Sequence, residues 1–134
     1  MNRLAGTLVS RESISAVAKV TVDLGTATVT AVLLEEPPLL PEQGAPVTVC
    51  FKESETALAL GTFEGKLSIR NRLPCVVESV QDDGVLCCVT LNFSGARLFA
   101  LITSESGRDL GLSAGTQVFA LVKSTEVMIA PEAA

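Results

Sequence analysis

The 134-residue chain has no histidine, no tryptophan and no tyrosine, and its five phenylalanines make up the whole aromatic share of 4 %. Without histidine, the usual general base of a nucleophilic site and a common zinc ligand are both missing. The four cysteines, Cys50, Cys75, Cys87 and Cys88, show no C-x-x-C spacing, so a metal site is poorly supported and buried, reduced thiols are the ordinary reading. Cys87 and Cys88 are adjacent, which on a strand sends them to opposite faces, and no basic neighbour in sequence activates either thiol. Enzyme activity is therefore not expected. The scarcity of aromatics removes the stacking platforms of a single-strand binder, and a net charge of −5 lacks the basic surplus that displaces counterions from phosphates. No apolar run approaches the ~20 residues of a membrane-spanning helix. The opening "MNRLAGTLVS" lacks the charged-then-apolar layout of a secretory signal. The expected location is the cytoplasm, with no direct nucleic-acid or membrane partner.

What the chain has in abundance is apolar side chains, 48 % of the total, enough for a packed globular fold. It also has an internal repeat. Sliding the sequence against itself by 69 residues pairs Asn2-Arg3-Leu4 with Asn71-Arg72-Leu73, Ser10 with Ser79, Val20-Thr21 with Val89-Thr90, Ala27 with Ala96 and Ala31 with Ala100. Hydrophobic phase is kept where identity is not: Val20, Val22 and Leu24 alternate with polar residues, and Val89, Leu91 and Phe93 hold the same places. Such period-two alternation puts one face of a strand on a core. A further shift of two brings "GAPVTVCFKESETALAL" from Gly44 onto "GTQVFALVKSTEVMIA" from Gly115, with Lys52 on Lys123 and Glu55 on Glu126.

Each unit reads as five short strands, about 4–11, 16–24, 27–34, 46–52 and 55–60, then 73–80, 85–93, 96–102, 117–123 and 126–130. Turn residues punctuate them at Gly25, Asp82-Asp83-Gly84, Ser94-Gly95, Gly44 and Gly111 to Gly115. The pattern predicts an all-β chain of two tandem OB-like five-stranded barrels, residues 1–62 and 63–134, each with one short helix between its third and fourth strands. The helix is best marked in the second unit, from Ser104 to Leu110, with Thr103, Ser104 or Ser106 available as N-cap. A domain of about 60 residues buries only about 60 % of its unfolded surface, so the units are expected to pack on each other and the chain to form oligomers.

Three separated elements of the second unit, Ser68-Ile69-Arg70-Asn71, Ile102-Thr103-Ser104-Glu105-Ser106 and Lys123-Ser124, stand in the order of the S-A-R-N, I-T-x-x-S and K-A/S-S elements of the Mop (TOBE-type) domain. The second unit thus resembles the molbindins, and the first resembles the same unit more weakly, making the chain similar to a tandem di-Mop protein. Molbindin domains bind molybdate or tungstate in the cytoplasm, either free-standing or at the C-termini of molybdate-responsive regulators and molybdate-transporter ATPases. The resemblance implies an oxyanion site of Ser68, Arg70, Thr103, Ser106, Lys123 and Ser124, with no organic cofactor and no cation ligands. It also implies a homo-oligomer, dimer or trimer, in which Thr103 and Ser106 complete the pocket begun by Ser68 and Arg70 of a partner chain.

The chemistry of a tetrahedral dianion agrees with that set, since four acceptor oxygens need donors and positive charge rather than acids or nucleophiles. Arg70 and Lys123 can supply charge, Ser68 and Ser124 hydroxyls, and the backbone around 68–70 and 123–124 an anion-binding nest. Thr103 and Ser106 at the head of the short helix add hydroxyls and a helix N-terminus. Each residue has an ordinary alternative as a solvated charge, helix cap or turn residue. In the first unit, Leu34 and Pro37 replace Thr103 and Ser106, Glu53 replaces Ser124, and the Ser-x-Arg positions fall before Met1. That unit is expected to be a structural partner with a degenerate pocket. The expected function is reversible binding of molybdate or tungstate for storage, homeostasis or sensing. The alternative is a structural or regulatory oligomerisation module of a molybdate-responsive regulator or transporter ATPase, without anion binding of its own.

Overall fold

The structure, a computed structural model, describes residues 1–34 and 40–131. All ten expected strands are present: β1 (Asn2–Ile14), β2 (Val17–Asp23), β3 (Thr28–Leu33), β4 (Pro46–Phe51) and β5 (Ala57–Leu60) in the first half, and β6 (Asn71–Asp82), β7 (Leu86–Phe93), β8 (Ala96–Thr103), β9 (Gln117–Val122) and β10 (Met128–Pro131) in the second. Alternation decides which face is buried. Ala18, Val20 and Val22 of β2, and Cys87, Val89, Leu91 and Phe93 of β7, point into the core while their neighbours do not. The helix α1 (Ser104–Asp109) lies where the sequence put it. Its first-half counterpart, and Pro37 with it, falls in residues 35–39, outside the described residues.

Each first strand is long and bent. The register of β1 against β2 shifts between Leu8 and Ser10, and that of β6 against β7 between Val77 and Ser79, at positions 69 apart in the repeat. Before the bulge β1 pairs with β4 over Asn2–Thr7, and from there on with β2; a bulge of this kind bends a strand so that it can serve two neighbours of a barrel. Gly6 lies ahead of the bulge, opposite Val47, where a Cβ would come within 2.5 Å of Val22 Cγ1 and 2.8 Å of the Asp23 carbonyl oxygen. The β7–β8 hairpin turns on Ser94 and Gly95 with φ of 49° and 89°, the paired positive values of a type I′ turn.

The two five-stranded sheets run β10-β4-β1-β2-β3 and β5-β9-β6-β7-β8. Each has the expected number of strands but takes its fifth from the other half of the chain. Ala57 to Leu60 pair with Leu121 to Val118, and Met128 to Pro131 pair with Cys50 to Val47. The sequence offers no sign of the exchange, because a strand's own alternation is the same whichever neighbour it meets. Two single-turn 3-10 helices, Glu53–Glu55 and Ser124–Glu126, carry the chain across, each packing against the third strand of the opposite half. One core joins both sheets, with Leu4, Val20, Val49 and Phe51 continuous with Leu73, Val89, Leu91 and Val122.

The repeated "NRL" is explained by a reciprocal clamp. Asn2 Nδ2 donates to the Phe99 carbonyl at 2.8 Å, and the Phe99 N–H donates to Asn2 Oδ1 at 2.9 Å. Asn71 does the same to Thr30, at 2.9 and 2.8 Å. Both asparagines are buried, and their amides complete backbone groups on the third strand of the other half. Truncating either side chain would leave buried polar groups unpaired, at a cost of about 1–3 kcal/mol each.

Candidate functional site

The end of β8, the head of α1 and the exits of β4 and β9 converge on one cavity of about 400 Å³. Thr103 closes β8 in an extended conformation (φ −74°, ψ 151°) and caps α1, its Oγ1 accepting from the Ser106 N–H at 3.1 Å. The Thr103 hydroxyl donates to Ser106 Oγ at 2.9 Å, which leaves the Ser106 hydroxyl hydrogen free for another acceptor. Lys123, the exposed residue ahead of the second 3-10 turn, lines the same cavity, as does Glu126 at the end of that turn. Ser54 and Glu55 of the first 3-10 turn form the opposing rim, with Ile69, Leu101 and Leu121 as apolar lining.

Of the six residues singled out in the sequence, the structure brings three to this cavity: Thr103, Ser106 and Lys123. Ser68 and Arg70 are exposed on either side of Ile69, which does line it, and half-buried Ser124 adjoins Lys123; these three flank the cavity without lining it. The segment before β6 is held by Arg72 Nε, which donates to the Ile69 carbonyl at 3.4 Å. The residues that sequence reasoning missed are Ser54, Glu55, Thr56 and Glu126. The one signal available for them was the alignment of Glu55 with Glu126 in the repeat.

Among the described residues Lys123 is the only cationic side chain in the lining, against the carboxylates of Glu55 and Glu126. Its ammonium and the hydroxyls of Ser106 and Ser54 are donors to an acceptor-rich guest. The groups with shifted proton affinity lie elsewhere. Burial pushes the Cys75 thiol up to about 11 and raises that of Cys87, so neither is poised as a nucleophile. Hydrogen bonds from Ser104 and the Gly84 N–H hold the Asp82 carboxyl below its usual range, and those from Leu86 and Val85 do so for Asp83. Among the described residues no three His, Cys, Asp or Glu side chains are grouped to hold a metal ion. No helix among them is long and apolar enough to cross a membrane.

Two exchanged five-stranded sheets, with a donor-lined cavity where the first 3-10 turn meets the end of β8, define a tandem OB-type module. Residues 67–129 match the TOBE domain. Over 64 residues the chain is 38 % identical to molybdenum-pterin-binding protein 3 of Clostridium pasteurianum, covering 47 % of this chain and 94 % of that protein. Over 62 residues it is 48 % identical to the molybdenum import ATP-binding protein ModC of Brucella abortus, of which the match spans 17 %. The crystal structure of the cytoplasmic molybdate-binding protein ModG with molybdate bound superposes with a TM-score of 0.90 at 27 % identity, covering 98 % of this chain and 96 % of that one. The chain belongs to the molbindin family of Mop (TOBE-type) domains.

Proposed function

We propose that the protein binds molybdate or tungstate reversibly in the cytoplasm, as a store, buffer or sensor of the oxyanion rather than as an enzyme. The observation that carries this reading is the shared cavity. Thr103, Ser106 and Lys123 come from two motifs about 20 residues apart in sequence and meet at one opening with hydroxyl and ammonium donors. The relatives support the choice of ligand: ModG holds molybdate in its crystal structure, and the other two carry molybdenum in their names.

The cavity is larger than a tetrahedral oxyanion needs, and its polar residues other than the buried Thr56 stand exposed at the mouth. Ser68, Arg70 and Ser124, all in the second half, adjoin the lining residues Ile69 and Lys123. A second copy of the chain laid over the mouth would narrow the site and add donors, which is the arrangement that the family resemblance implies. The first half, with exposed Leu34 and with Glu53 in place of Ser124, is assigned a structural part.

The test is calorimetric titration of the protein with molybdate, alone and in excess sulfate, with Lys123→Ala and Arg70→Ala alongside. A charge-assisted hydrogen bond contributes about 1.5–3 kcal/mol, so each variant should weaken binding by about tenfold or more. Uptake near one oxyanion per chain that resists sulfate is the expected outcome. Absence of heat in the wild-type protein would overturn the reading in favour of an oligomerisation module.

A further inference from the structure

We infer that Asn2 and Thr56 act as a positioning pair that holds the two walls of the Thr103–Ser106–Lys123 cavity at ligand-binding spacing. The first half of the chain then sets the affinity of a site whose donors lie in the second. The inference rests on the oxyanion reading for its ligand, but not for its geometry.

One wall is the end of β8, Leu101 to Thr103; the other is Ser54 to Ala57, leaving the first 3-10 turn. No strand pairing joins them, because β8 is laddered to β7 and β5 to β9. Their spacing is set by side chains, and Asn2 reaches both walls. Its amide is doubly bonded to the backbone of Phe99, four residues before Thr103 on the same strand. The same Nδ2 donates to Thr56 Oγ1 at 3.4 Å, a contact longer than an ordinary N–H···O bond, and Thr56 Oγ1 donates to the Lys52 carbonyl at 2.9 Å. Asn2 and Thr56 are each 2 % exposed, so solvent does not substitute for these bonds.

The repeat supplies an internal control. Asn71 clamps Thr30 just as Asn2 clamps Phe99, but the place of Thr56 is taken in the second half by Val127, also 2 % exposed. Valine fills that buried position without offering an acceptor. Packing alone does not require a hydroxyl there. The hydroxyl is present only beside the cavity that carries Thr103 and Ser106, where it links the clamp on β8 to the turn bearing Ser54 and Glu55.

The experiment compares full-length wild type, Thr56→Val and Thr56→Ser by two readouts: exchange of the Phe99 amide, whose acceptor is Asn2 Oδ1, without ligand, and calorimetric titration with molybdate. In Thr56→Val, Phe99 exchange should accelerate about tenfold and molybdate affinity fall about fivefold to tenfold. Thr56→Ser should stay within about twofold of wild type on both, a rescue that a purely packing role would not give. Wild-type affinity in Thr56→Val, or equal losses in both variants, would overturn the inference. If wild type takes up no molybdate, the oxyanion reading fails by itself. Phe99 exchange then decides the pair alone: acceleration in Thr56→Val restored in Thr56→Ser supports it, and unchanged exchange overturns it.

Discussion

Lys123 shares its cavity with Glu55 and Glu126, so a dianion would meet one ammonium and two carboxylates. At a separation of ~8 Å, in the high effective dielectric of an exposed site, one carboxylate repels a dianion by roughly 1 kcal/mol, less in salt. Glu126→Gln keeps the shape of an exposed side chain and should therefore tighten molybdate binding about threefold to tenfold at low ionic strength. Calorimetry at low salt and at about 0.5 M salt checks this, since the gain should shrink as charge is screened. Weaker binding in the variant would mean that Glu126 supports the site rather than opposing the guest. At this scale the sequence was legible where a motif fixed the chemistry, as for Thr103, Ser106 and Lys123. It was silent on Thr56 and Ser54, because they reach the cavity through the interchange of β5 and β10, and nothing in their own neighbourhood marks that route.

The β6–β7 turn shows how one short element is stabilised by another. Asp82 Oδ1 accepts from the Gly84 N–H at 2.8 Å and from the Ser104 hydroxyl, and Asp83 Oδ1 accepts from the N–H groups of Val85 and Leu86 at 2.8 and 2.7 Å. Ser104 is buried and begins α1, a helix of six residues, too short to persist by itself. The turn thus secures the helix that carries Ser106. Both carboxyls titrate below the ordinary value of 3.8 in the folded chain. Their contribution to stability is therefore complete above that value and lost as pH falls through the lower, folded-state values. Melting temperature should be flat from neutrality to about pH 4 and drop below it, with a shallower drop in Asp82→Asn; thermal melts followed by circular dichroism test this. An equal drop in the variant would assign the acid sensitivity to other carboxylates. Alternation and turn residues made the strands and this turn readable in the sequence. The 3-10 turns at Glu53–Glu55 and Ser124–Glu126 were not, since three residues carry no period.

For the molecule as a whole, the sequence repeat and the sheets divide the chain differently. Residues 1–62 contain β1 to β4 with the outer edge of β4 unpaired, and a β5 whose partner β9 is in the other half. Residues 63–134 are in the reciprocal position. Neither half expressed alone should be a stable folded monomer. Each should aggregate, or dimerise by exchanging its last strand with a second copy, as size-exclusion chromatography with light scattering would reveal. A folded monomer of either half would show that the last strand can return to its own sheet.

The same interchange orders the birth of the protein on the ribosome. Every strand of the β5-β9-β6-β7-β8 sheet has been synthesised once Val122 emerges, whereas the sheet begun at Asn2 waits for Met128 to Pro131. The half translated first is thus the half completed last, and its β4 edge stays open in the nascent chain until β10 has emerged.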